Sequence, residues 1–156
     1  MIISFAIWQL FNALIGWIEG AYWHFRNTVI LSNHYRTPYA DKLNLHNVLF
    51  ELRVLIAIAL TYICINENTI SLICFITALI ISQPYFHLGM MYKHRNKLDS
   101  RTYPKGFKDC NAVELGDSSK IDLFLYNVGL KQVTYDIRLA GLIISILLVT
   151  FALWTT

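Results

Sequence analysis

Hydrophobic positions fall into four long runs, at about residues 2–25, 47–65, 69–92 and 137–155, separated by polar segments. Each run is close to the roughly 20 residues that an α-helix needs to cross about 30 Å of hydrocarbon. The pattern predicts an all-α integral membrane protein: one domain over residues 1–156, built as a four-transmembrane-helix bundle. The first run starts at residue 2, has no basic segment before it and is longer than a signal-peptide core, so it reads as a permanent helix. Composition agrees, with 56% hydrophobic residues, 15% charged residues and a mean hydropathy of +0.46.

Charge placement gives the expected orientation. All 13 Lys and Arg residues, from Arg26 through Arg138, lie on the side of the first and third connections. The opposite side holds both chain ends and the turn Asn66–Thr69, whose only charge is Glu67. By the positive-inside rule the basic side is cytoplasmic, in a cytoplasmic (inner) or organellar membrane, with both termini outside. Because topology accounts for the basic residues, they do not imply nucleic acid.

The two halves resemble each other weakly. Tyr22-Trp-His24 followed by Phe-Arg-Asn closes the first run, and Tyr92-Lys-His94 followed by Arg-Asn closes the third. Phe50-Glu51-Leu52-Arg53 opens the second run, and Tyr135-Asp136-Ile137-Arg138 opens the fourth. The expectation is two pseudo-symmetric helical hairpins, pairing His24 with His94, Glu51 with Asp136 and Arg53 with Arg138.

Helical spacing then assigns faces. Gln9, Asn12, Gly16, Glu19 and Trp23 recur at 3, 4, 3, 4 and form a stripe that must face protein or water, with Gly16 and Gly20 allowing a close neighbour. Gln83, His87, Met90 or Met91, and His94 repeat the pattern on the third run, where Pro84 is expected to kink the helix. On the second, Asn44, Asn47, Glu51 and Leu55 share one face while Arg53 lies nearly opposite. The acid is expected to turn inward and the arginine outward, with Asp136 and Arg138 behaving likewise. Ser118 or Ser119 would cap a short interfacial helix in the connection 95–135.

Acids and imidazoles at one depth in a bilayer are costly and need a reason. His24, Glu51, His94 and Asp136 are the candidate metal ligands, a donor set suited to iron or zinc. No Glu-x-x-His pair or clustered histidine box accompanies them. Glu19, with His87 nearby, is the candidate catalytic pair, the acid acting as general base in a desolvated setting. Arg53 and Arg138 would hold a head group. Cys64, Cys74 and Cys110 lack metal-type spacing, and Cys64 and Cys74, which flank one short turn, read as small apolar residues at helix ends.

The expected function is a small membrane protein with a cytoplasm-side polar His/carboxylate pocket that binds, and can modify, a lipid-like or amphiphilic molecule. Two alternatives stand beside it. One is a non-catalytic subunit of a homo-oligomer or larger membrane complex whose buried charges are structural; the other is a small proton or ion transporter.

Overall fold

The computed structural model describes residues 1–25, 45–108, 127–128 and 134–155. Within them lie four α-helices and no strand: α1 Ile2–Phe25, α2 Leu45–Ile63, α3 Thr69–Leu98 and α4 Thr134–Trp154, plus a single 3-10 turn at Gly106–Lys108. Three of the helices, α1, α3 and α4, are long and apolar enough to cross a membrane. The interfacial helix expected near Ser118 lies outside the described residues.

The polarity of the fold is inverted relative to a water-soluble bundle. Ser4, Gln9, Asn12, Glu19, Arg53, Ser82 and His87 are buried, whereas Ile3, Leu10, Ile58, Ile80 and Leu147 are exposed. Apolar surface of this extent belongs against lipid.

Helix α3 is the centre of the assembly, flanked by α1 on one side and α4 on another. The α1–α3 pair is parallel and in constant register. Trp8 Nε1–H donates to the Leu79 carbonyl at 2.8 Å, and Gln9 Nε2–H donates to Ser82 Oγ at 2.7 Å. Nearer the other end, Gly16 abuts the His87 carbonyl and Gly20 the Met91 carbonyl. A Cβ at Gly16 would collide with that carbonyl, so glycine is required there for the backbones to approach.

Helix α4 runs antiparallel to α3. Ser71 Oγ donates to the Ala152 carbonyl at 3.0 Å, and Gly141 faces Ile81 at the other end. Asn68 caps α3, its side-chain oxygen accepting from Ser71 N–H at 2.8 Å. The helix continues through Pro84 and runs six residues past the apolar stretch, to Leu98.

Helix α2 packs differently. It touches α1 and α3 sparsely, so the α1–α2 hairpin is not packed as the α3–α4 hairpin is. Its buried side is Leu49, Arg53 and Leu60, followed by Cys64 just beyond the helix, with Ile56 and Ala57 partly covered. Asn47, Glu51 and Leu55 are exposed. The expected orientation of α2 is therefore reversed: arginine faces inward and the acid outward. Arg138 and Asp136 on α4 follow the same reversal, buried and exposed respectively.

Candidate functional site: a buried carboxylate, guanidinium and imidazole beside an apolar groove

Glu19 supplies the physical reason for the reversal. It is 1% exposed on the α1 face that meets α3, and a carboxylate so placed must be compensated. Counting about 1.5 Å per residue, Glu19 lies about 9 Å before the end of α1 at Phe25, and Arg53 lies about 12 Å after the start of α2 at Leu45. The two charges meet at similar depth, so turning Arg53 inward neutralises Glu19. Turning Glu51 inward would have added a second acid.

Three side chains from three helices make the centre. Arg53 Nη2–H donates to Glu19 Oε1 at 3.0 Å. His87 Nε2 lies 2.7 Å from Glu19 Oε2 and also 2.7 Å from Arg53 Nη2. All three residues are buried, at 1%, 7% and 5% exposure for Glu19, Arg53 and His87. Among the described residues Arg53 Nε, which is buried, has no hydrogen-bond partner. Along α1 toward the N-terminus, Gln9 Oε1 and Asn12 Oδ1 are likewise buried without a partner among the described residues.

Arg53 also closes one end of a groove of about 580 Å³ between α2 and the α1–α3 pair. The groove is almost wholly apolar, with Trp8, Phe50, Ile58, Leu79 and Ile80 among its walls and Gln83 beside the polar end. From Val54 to Tyr62 its α2 wall spans eight residue steps, or about 12 Å, the reach of an extended chain of roughly ten carbons. A pocket of this kind, apolar with a few convergent polar groups, is the usual form of a small-molecule site.

The remaining site candidates are dispersed. His94 is buried; its Nδ1 is 2.6 Å from the Trp17 carbonyl, and its ring stacks on the Trp17 indole with centroids 4.3 Å apart. His24, half-buried near the end of α1, has its ring edge-on to Phe25. Glu51 and Asp136 are exposed on α2 and α4. Among the described residues no group of three or more His, Cys, Asp or Glu side chains could hold a metal ion. His24, Glu51, His94 and Asp136 are thus not brought together, and the reason is the reversed facing of the two acids.

Arg138 sits in an aromatic setting of its own. Its guanidinium lies over the Tyr92 and Tyr135 rings, at 5.4 and 5.7 Å from their centroids, with Nη2 3.5 Å from the Phe107 carbonyl. Below it, Arg95 stacks over Tyr103 at 4.3 Å.

Of the residues singled out by sequence, the structure brings together Glu19, His87 and Arg53, the last in an unexpected role as the partner of Glu19. Sequence reasoning missed Trp8 and Gln83 as groove residues. The one available signal was that Trp8 precedes the polar stripe by a single residue. No known family pattern, characterised protein sequence or solved structure matches the chain.

Proposed function

We propose that the protein binds a single-chain anionic amphiphile laterally from the membrane, with its tail in the groove and its head at Arg53. In this reading α2, 19 residues and about 28 Å long, is a fourth span. The basic connections face the cytoplasm and the chain ends face outward. The observation that carries the reading is the coincidence of an apolar groove with a buried guanidinium whose Nε has no partner among the described residues. An acyl chain supplies matching apolar area, and an anionic head supplies an acceptor for the unmet donor.

Glu19 and His87 would then stand beside the head group, the arrangement an acid–base step on that head would need. Binding comes first, however, because the groove and the guanidinium support it directly. A purely structural role for the ion pair leaves the groove and the unmet Nε without a purpose.

The test uses Trp8, whose indole lines the groove. A variant keeping Trp8 alone (Trp17→Phe, Trp23→Phe, Trp154→Phe) is placed in nanodiscs of neutral lipid and titrated with chain-brominated alkyl sulfonate, alkyl alcohol or alkyl trimethylammonium. The expected result is saturable quenching by the sulfonate at concentrations where the other two leave Trp8 unquenched. Equal quenching by all three, or none by the sulfonate, would overturn the reading.

A further inference from the structure

Two glutamines lie in the described helices, and they are used differently. Gln9 on α1 is bonded across the helix interface, its amide donating to Ser82 Oγ at 2.7 Å. An amide so placed joins one span to another. Gln83 follows Ser82 on α3 but lines the groove, in the same wall as Leu79 and Ile80. It is half-buried, and among the described residues no hydrogen bond engages its side chain. A primary amide carries two donors and an acceptor, and an amide left unmet at membrane depth is costly, so its retention beside an apolar groove needs a reason.

Its position on α3 supplies one. Gln83 is one helical turn before His87, and residues four apart stand about 5–6 Å from each other on one face of a helix. His87 Nε2 in turn lies 2.7 Å from Arg53 Nη2. Arg53 therefore reaches the polar end of the groove from α2, and Gln83 reaches it from α3. Arg53 Nε, buried and without a partner among the described residues, offers one N–H there. The Gln83 amide offers more from the facing wall.

We infer that Gln83 is the specificity-determining residue of the groove: its amide donates to one oxygen of the anionic head while Arg53 Nε–H donates to another. The inference rests on the groove reading and deepens it by naming the residue and the chemistry that recognise the head. Two donors on facing walls select an oxyanion with at least two acceptor oxygens over a head that offers one oxygen or none. An amide also adds hydrogen bonds without placing a second cation beside Arg53. A head held this way bridges α2 and α3, which touch each other only sparsely.

The test repeats the brominated alkyl sulfonate titration of the Trp8-only protein in neutral nanodiscs with Gln83→Met and Gln83→Glu. Methionine keeps the length of the side chain and suits the apolar walls, but it has no N–H. Loss of a hydrogen bond to a charged head is expected to weaken sulfonate binding roughly tenfold to a hundredfold. Quenching by the alkyl alcohol, at the higher concentrations where it occurs, should not change. Gln83→Glu keeps the size and brings a negative charge to the head. Sulfonate quenching is expected to vanish there and alkyl trimethylammonium to quench saturably instead, a reversal that a merely structural glutamine would not give. Gln83→Met decides alone if the added acid of Gln83→Glu prevents folding. Sulfonate binding by Gln83→Met at wild-type strength, or a sulfonate preference that survives Gln83→Glu, overturns the role of Gln83 while leaving the groove intact. No saturable quenching of the wild-type side chain set by the sulfonate overturns the groove reading and the role of Gln83 with it.

Discussion

The close approach of α1 and α3 makes a graded prediction for replacing glycine by alanine. At Gly16 the added methyl would overlap the His87 carbonyl, which is helix backbone and cannot swing aside. At Gly20 it would stand 2.7 Å from the Met91 carbonyl, and at Gly141 3.0 Å from the Ile81 carbonyl. An ordinary contact begins near 3.4 Å, so Gly141 needs a few tenths of an ångström of movement, Gly20 about twice as much and Gly16 a separation of the helices. Overpacking of this kind costs about 1–3 kcal/mol, whereas alanine gains up to about 1 kcal/mol over glycine within a helix.

The net expectation is a loss of up to about 2 kcal/mol for Gly16→Ala, at the upper end of that range, a smaller loss for Gly20→Ala and a change near zero for Gly141→Ala. Separating the helices at Gly16 also moves His87 away from Glu19, so Gly16→Ala should weaken sulfonate binding as well. Reversible unfolding in mixed micelles, followed by circular dichroism, reads the stabilities. Equal stability of Gly16→Ala and wild type, or a larger loss at Gly141 than at Gly16, would refute the packing argument.

Three further outcomes follow from the site and its surroundings. Arg53→Leu leaves Glu19 buried without its cation and should lower stability by about 3–5 kcal/mol, while Glu51→Gln and Asp136→Asn, both exposed, should stay within about 0.5 kcal/mol of wild type in the same unfolding assay. Trp17→Ala removes the stacked partner of His94 and should cost about 1 kcal/mol beyond the lost area, measured against His94→Ala in a double-mutant cycle. At the end of α3 the Thr102 hydroxyl, helped by backbone N–H groups of Thr102 and Arg101, holds the Asp99 carboxyl below the usual carboxylate range. Its ordering of the 99–103 turn should therefore be complete above about pH 4 and fade as pH falls through the lowered value, and amide exchange of that turn in wild type and Asp99→Asn checks the difference.

How far the sequence carried can be judged residue by residue. Run length alone located the helices, with α1 matched at Ile2–Phe25 and α3 extended beyond its apolar stretch because Arg95 and Tyr92 pack on Tyr103. Spacing identified the α1 stripe that ends at Glu19, and the third-helix stripe through His87, because both faces are read within a single helix. It also established that Glu51 and Arg53 cannot face the same way. Which of them turns inward is decided by a third residue, Glu19, on another helix, and spacing within α2 is blind to that. The expected metal ligands are not brought together for the same reason: that set needed both Glu51 and Asp136 inward, and both are exposed. The groove left no mark on the sequence, because it arises from the loose seating of α2 against α1 and α3.

The most direct test of the account is the contact between Glu19 and Arg53. Solid-state NMR of the protein in lipid bilayers, with ¹³C-labelled glutamate and ¹⁵N-labelled arginine and assigned by Glu19→Gln and Glu51→Gln, reads which carboxyl carbon is dipolar-coupled to an arginine side-chain nitrogen. The account predicts a strong coupling from Glu19 to Arg53 and none from Glu51. A coupling carried by Glu51, with Glu19 silent, would contradict it.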